Sequence, residues 1–202
     1  MKQPESFSGS TRPLGLVVIG ASSGGLEAII RLLKHLPTQF DVPTAVVLHQ
    51  RANRASGIPE MLAKYTHLKV QEPEDKEIIT KGHLYVVPPN YHLLIDSGEL
   101  LSLSLDAPLN YCRPAIDMTF LSAAEVFRQR LAGCVLTGAN DDGARGCVAI
   151  KRHGGVVLVQ DPQQAAVDIM PRAAIAATMV DEVLTVEVMA RKLTTLAVGA
   201  DP

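Results

Sequence analysis

The chain has 202 residues, 47% hydrophobic and 20% charged, which suits one sizeable α/β core in an ordinary globular protein. Its formal net charge of −2 gives no reason to expect nucleic acid or an anionic membrane surface as partner. Cys112, Cys134 and Cys147 are odd in number and lack C-x-x-C spacing, which argues against a disulfide framework or zinc site and for reduced thiols in the cytoplasm.

Residues 1–12 are rich in Ser, Gly, Pro and charge without periodicity and are expected to form a flexible tail, leaving 13–202 as one domain. The sequence has no apolar run long enough to span a bilayer and no secretory layout. Leu16 to Ile19 form an unbroken apolar run that predicts a strand buried on both faces and stopping at Gly20. Gly20-Ala21-Ser22-Ser23-Gly24 then satisfies G-x-S-x-G, and Leu26, Ile29, Ile30, Leu33 and Leu36 recur at helical spacing until Pro37. Thr44 to Leu48 predicts a second buried strand ending at His49, Ile58 to Tyr65 a helix, and Leu68 to Val70 a short extended piece. Gly82 to Val87, His92 to Ile95 and Leu100 to Leu105 are separated by Pro88-Pro89-Asn90 and Ser97-Gly98, and predict antiparallel hairpins inserted in a parallel plan.

Pro114 opens a helix carrying Ile116, Phe120, Ala123, Ala124 and Phe127. Gly133 to Leu136 predicts another buried strand, running into Thr137 to Gly146 and a helix through His153. Gly155 to Gln160 follows as a strand, Pro171 to Met179 as a helix, Val183 to Val186 as a strand and Val188 to Leu196 as a closing helix. Strand and helix alternate with short loops, so the expected architecture is a doubly wound, mostly parallel α/β sheet with an antiparallel insertion.

In such a sheet a ligand binds outside the carboxyl ends of the strands. Three predicted strands end there in residues with chemistry: Ser22, His49 and Asp142. An alcohol, an imidazole and a carboxylate make an acyl-transfer site. Plainer readings stay open. The glycine-rich turn could cradle a phosphate or simply close, His49 could be a satisfied structural histidine, and Ser22 or Asp142 could cap the helix that follows it. The chain order Ser…His…Asp differs from the Ser…Asp…His order of α/β-hydrolases. His35, His67 and His153 fall on helix or loop surfaces and His83 in a hairpin strand, and no H-x-x-x-H or H-E-x-x-H spacing occurs, so no metal site is expected. A rival reading, a nucleotide-binding oxidoreductase, draws on the same glycines and on Tyr65-x-x-x-Lys69. It is weakened because His49 and Gln50 stand where a ribose-binding acid should end the second strand.

The blocks VVIGASSGGLEAI (Val17 to Ile29), VVLHQ (Val46 to Gln50), LYVVPPNYHLLI (Leu84 to Ile95), RPAIDMTF (Arg113 to Phe120), LTGANDDGARG (Leu136 to Gly146) and MPRAAI (Met170 to Ile175) are similar, in order, to the catalytic domain of the chemotaxis-type (CheB-type) protein-glutamate methylesterases. The resemblance runs from about Leu16 to Leu196 and implies a doubly wound fold with a hairpin insertion. It implies Ser22 as nucleophile, His49 as general base and Asp142 as the acid that orients it, with Ser23 where the family usually has a threonine lining the site. The implied reaction is hydrolysis of glutamate γ-methyl esters on the cytoplasmic domains of chemoreceptors, with glutamine deamidation alongside, and no cofactor or metal. The implied partners are methylated receptors, other chemotaxis signalling proteins or a separate regulatory domain. A receptor-binding module with a decayed site is the non-enzymatic alternative. Three positions depart from the family: Ala139 near the oxyanion replaces a larger side chain, Asn140 replaces Gly, and Cys112 stands where His is frequent. The family's usual member also has an N-terminal receiver domain that this sequence lacks, so the chain is either free-standing or part of a longer protein.

Overall fold

Strand β1, Leu16–Ala21, is buried along its whole length because alternate side chains enter two different cores, Val17 and Ile19 one of them and Leu16 and Val18 the other. It runs one residue past the stop expected at Gly20. The computed structural model describes residues 13–50, 57–109 and 111–199, and the tail expected over 1–12 lies outside them. From β1 the chain continues through α1 (Gly25–Lys34), β2 (Thr44–Leu48), α2 (Ile58–Leu62), β3 (Lys69–Gln71), β4 (Glu77–Ile78), β5 (His83–Val86), β6 (His92–Asp96) and β7 (Leu100–Ser104). It then forms α3 (Ile116–Phe127), β8 (Leu131–Val135), α4 (Ala144–Arg152), β9 (Val156–Gln160), α5 (Ile169–Ala177), β10 (Glu182–Leu184) and α6 (Val186–Val198).

Seven strands form one sheet in the order β10-β9-β8-β1-β2-β5-β3, parallel at every pairing. Strands after β1 are laid down on one side of it and strands from β8 onward on the other, which puts the topological switch between β1 and β8. Helices α1 and α6 cover one face through Ile29, Leu32, Leu33, Met189 and Leu193. On the other face α3, α4 and α5 pack Phe120, Phe127, Ile150 and Met170 over β1, β8 and β9. Each such side chain removed from water contributes about 1.5–3 kcal/mol, and these two layers fix where the strand ends lie.

The antiparallel part is smaller than the sequence suggests. β5 is no hairpin strand: it pairs in parallel with β2 and β3 inside the main sheet, and His83 goes with it, stacked on Tyr85. Leu84 to Val87 are all buried, as a strand covered on both faces requires, and the Pro88-Pro89-Asn90 turn carries the chain out of the sheet instead of back along it. Among the described residues, only β6, β7 and the short β4 make the separate antiparallel sheet. Helix α2 also ends earlier than predicted, because Lys64 and Tyr65 donate to Met61 and Leu62 three residues back and tighten the chain into a turn.

Candidate active site

The turn after β1 is a type II turn: Gly25 N–H donates to the Ser22 carbonyl at 2.7 Å, and Gly24, its third residue, has φ 75° and ψ 0°. Glycine is required there, since a side chain would sit in the left-handed region and strike Ala166. Ser22 is not the cap of α1, which has Gly24 in that position. Instead the Ser22 N–H donates to the Thr137 carbonyl at 2.9 Å, tying this turn to the loop after β8. Thr137 is buried, and its Oγ1 contacts the carbonyls of Ser23 and Val167 and accepts from the Val167 N–H. Gly138, next in the chain, packs beside the Ser22 Cβ. Among the described residues the Ser22 hydroxyl makes no hydrogen bond, and the backbone N–H groups of Ser23 and Ala139 find no acceptor. Both of those residues are exposed.

His49 follows β2 directly, and its N–H continues the ladder by donating to the Ala21 carbonyl at 3.0 Å. Since Ala21 and Leu48 are register partners, Ser22 and His49 each stand one step beyond the same pair, on strands that run about 4.8 Å apart. The imidazole Nε2 lies 2.8 Å from Asp142 Oδ2. Asp142 is completely buried and accepts two further hydrogen bonds, from the Ile116 N–H at 2.7 Å and the Asp117 N–H at 2.8 Å. Every partner of the carboxylate is a donor, so the His49 proton belongs on Nε2 and Nδ1 keeps a lone pair. This is the reverse of the serine-protease arrangement, in which Nδ1 faces the acid.

Asp142 is therefore a cap as well, but for α3 and not for the helix that follows it. Asp117, in the first turn of α3, returns the contact by accepting from Gly143 and Gly146 at the start of α4. The two aspartates clasp the two helix N-termini crosswise, each satisfying backbone donors that a helix start leaves open. Burial, with the nearby Asp142 charge adding to it, pushes the Asp117 carboxyl above its ordinary value, and the Gly146 N–H opposes that rise.

A cleft of about 200 Å³ opens beside His49, lined also by Gln50, Asn90, Tyr111, Cys112 and Arg113. Two buried donors at its wall, Gln50 Nε2 and Arg113 Nε, have no acceptor among the described residues. Cys112 Sγ stands 3.8 Å from His49 Nδ1 and also receives a contact from Asn140 Nδ2 at 3.5 Å. Burial and then the Asp142 charge push this thiol up, so it stands as S–H.

The structure thus brings His49 and Asp142 into contact, and places Ser22, Ser23 and Ala139 at the same sheet edge, with no hydrogen bond from the serine to the imidazole among the described residues. Tyr65 and Lys69 go elsewhere: Lys69 opens β3 at the amino end of an edge strand, and Tyr65 lies under the Lys34 ammonium. Sequence reasoning missed Asp117 and Thr137, and also His92, which is fully buried and bridges Ala107 and Ala115. Their side-chain partners lie from 15 to 114 residues away along the chain, so spacing carries no sign of them.

A family model described as CheB methylesterase matches residues 17–193. A chain from Leptospira interrogans is 46% identical over 174 residues, covering 86% of this chain and 90% of its own length. A Trichodesmium erythraeum protein named protein-glutamate methylesterase/protein-glutamine glutaminase is 34% identical over 186 residues, covering 91% of this chain but 53% of that protein. The solved CheB methylesterase catalytic domain of Thermotoga maritima superposes with a TM-score of 0.87 at 31% identity, covering 92% of this chain and 100% of that one. A match over that span, on the same doubly wound architecture, makes this chain a member of the CheB methylesterase family.

Proposed function

We propose that the chain is a serine hydrolase that demethylates glutamate γ-methyl esters on the cytoplasmic domains of chemoreceptors, with Ser22, His49 and Asp142 as its triad. The observation that carries this reading is an imidazole held at 2.8 Å by a fully buried carboxylate, one ladder step from a serine with an uncommitted hydroxyl. Ser22 Oγ attacks the ester carbonyl while His49 Nδ1 takes its proton. The oxyanion is held by the open N–H groups of Ser23 and Ala139, each such donor being worth about 3 kcal/mol. The tetrahedral intermediate collapses, the carbon–oxygen bond to methoxide breaks, and His49 returns the proton so that methanol leaves. Water, deprotonated by the same nitrogen, then frees the glutamate carboxylate and Ser22. Asp142 holds the ring in one tautomer and stabilises the imidazolium between steps.

The same acyl chemistry on a glutamine side chain releases ammonia, and glutaminase is the second activity in the name of the Trichodesmium relative. Gln50 Nε2 and Arg113 Nε suit carbonyl or carboxylate acceptors on the receptor segment that enters the cleft. Among the described residues no helix is long and apolar enough to cross a membrane, and a receptor's cytoplasmic helices are reached from the cytoplasm. Other chemotaxis proteins or a separate regulatory domain are the partners that would switch the activity. Methanol release from methylated receptor membranes, paired with fluorophosphonate labelling of the chain, tests the reading. Release and labelling at Ser22 are the expected result. A folded chain that binds receptor yet neither labels nor releases methanol is a decayed module, and the proposal fails.

A further inference from the structure

One contact at the sheet edge has no part in the hydrolytic scheme. Cys112 Sγ lies 3.8 Å from His49 Nδ1, while Asp142 accepts from Nε2 on the far side of the ring at 2.8 Å. Among the described residues, His49, Cys112 and Asp142 are the group of ligating side chains whose donor atoms all fall within 4.8 Å of one another. Zinc holds a thiolate at about 2.3 Å and an imidazole nitrogen at about 2.0–2.1 Å, so two such ligands at a tetrahedral angle stand about 3.6 Å apart, and widening the angle to about 120° brings them to about 3.8 Å. The spacing of the two atoms is already that of neighbouring vertices around one ion.

The surroundings agree. A carboxylate on the far ring nitrogen is the usual support of a metal-bound histidine: it fixes the tautomer and aims the lone pair. Here that support is Asp142, itself pinned by Ile116 and Asp117, so the imidazole does not have to be ordered when an ion arrives. Both ligands line the cleft of about 200 Å³, which leaves room for the waters that complete the coordination. A thiolate and the Asp142 carboxylate balance the charge of a divalent cation.

We propose that His49 Nδ1 and Cys112 Sγ together bind a thiophilic divalent cation of the zinc class, with Asp142 as its outer partner, and that the bound ion reversibly blocks the hydrolase. Binding displaces the thiol proton to solvent, forms one metal–sulfur and one metal–nitrogen bond, and changes no oxidation state. The ion takes the same lone pair that accepts the Ser22 proton, so hydrolysis stops until a chelator removes the ion. The binding stands on the geometry alone, and the inhibition rests on the hydrolase reading. Cysteine spacing could not show the site, because its two ligands are 63 residues apart.

Cobalt(II), the spectroscopic stand-in for zinc, separates the two. Titrated into the whole chain, it is expected to give intense tetrahedral visible bands and a thiolate charge-transfer band, saturating at one ion per chain and displaced by zinc. Both signals should vanish in Cys112→Ser and in Cys112→Ala, with circular dichroism confirming that at least one variant is folded. Cys134 and Cys147 are fully buried and serve as internal controls. No thiolate band, or one that survives both Cys112 variants, overturns the site. In the second arm, micromolar zinc should lower ester hydrolysis by about tenfold or more, with recovery on chelation. Each Cys112 variant, compared with itself at the same zinc concentration, should lose that sensitivity, and full sensitivity in both overturns the inhibition. A chain that gives the cobalt signature but hydrolyses no ester keeps the metal site and loses the hydrolase reading.

Discussion

At the Asp142 end of the candidate site the two buried carboxylates are fully committed, whereas at the Ser22 end several polar groups are not. The carboxylate accepts three hydrogen bonds inside a closed core, and its neighbour Asp117 returns the favour to α4. In the loops after β1 and β8, a serine hydroxyl and two backbone N–H groups have no acceptor among the described residues. On the proposed reading, one half belongs to folding and the other waits for substrate. A satisfied group stabilises the native state; an unsatisfied one gains its partner only when a ligand arrives.

The difference can be broken from either side. Ser22→Ala should lower ester hydrolysis by about 10⁶-fold, as loss of a nucleophile does elsewhere, while the urea midpoint stays where it is. A large loss of stability in that variant would show that the serine is structural after all. Asp142→Asn should lower hydrolysis by about 10⁴-fold through the wrong tautomer. Asp142→Ala adds a structural penalty, because it leaves two buried N–H groups at the start of α3 without acceptors; about 2–5 kcal/mol should be lost on urea unfolding. Unchanged stability in Asp142→Ala would sink the claim that this end holds the fold.

Thr137→Val sharpens the comparison at the border between the halves. It keeps shape but removes the hydroxyl that binds the serine turn to the loop around Val167, and should cost about 1–3 kcal/mol while lowering hydrolysis by displacing Ser22. Equal thermal midpoints for variant and wild type would remove Thr137 from that role. The smallest effect is a pH dependence. Burial raises the folded-state carboxyl of Asp117 above 3.8, so the cost of its charged form is absent well below that value and complete only above the raised one. Asp117→Asn has no such charge, and should therefore gain stability relative to wild type as pH rises from about 4 towards 7 in paired urea titrations. A difference that shrinks over that range would reverse the sign and reject the burial argument.

The sequence made the edge of the sheet legible because each of its three chemical residues follows a buried strand, a local pattern. The plainer alternatives at two of them were resolved by geometry. Helix α1 has Gly24 and not Ser22 as its cap, and Asp142 caps a helix that starts 26 residues before it, not the one that follows. Local propensity marks Asp as a capping residue but says nothing about which helix it serves. The same limit explains β5: its apolar run identifies a strand, but pairing partners are chosen by the whole sheet, and a nearby Pro-Pro-Asn turn suggests a hairpin that tertiary structure does not form. Asp117 and Thr137 were invisible for this reason too, since their value lies in partners brought close only by folding.

The crossed aspartate clasp bears on how damage to this molecule would look from outside. Were the nucleophile and the base lost, α3 and α4 would still require both acidic side chains, so a silent descendant would go on displaying an intact acid. In any survey of such chains, the alcohol after β1 is the better witness to a living site than the carboxylate behind it.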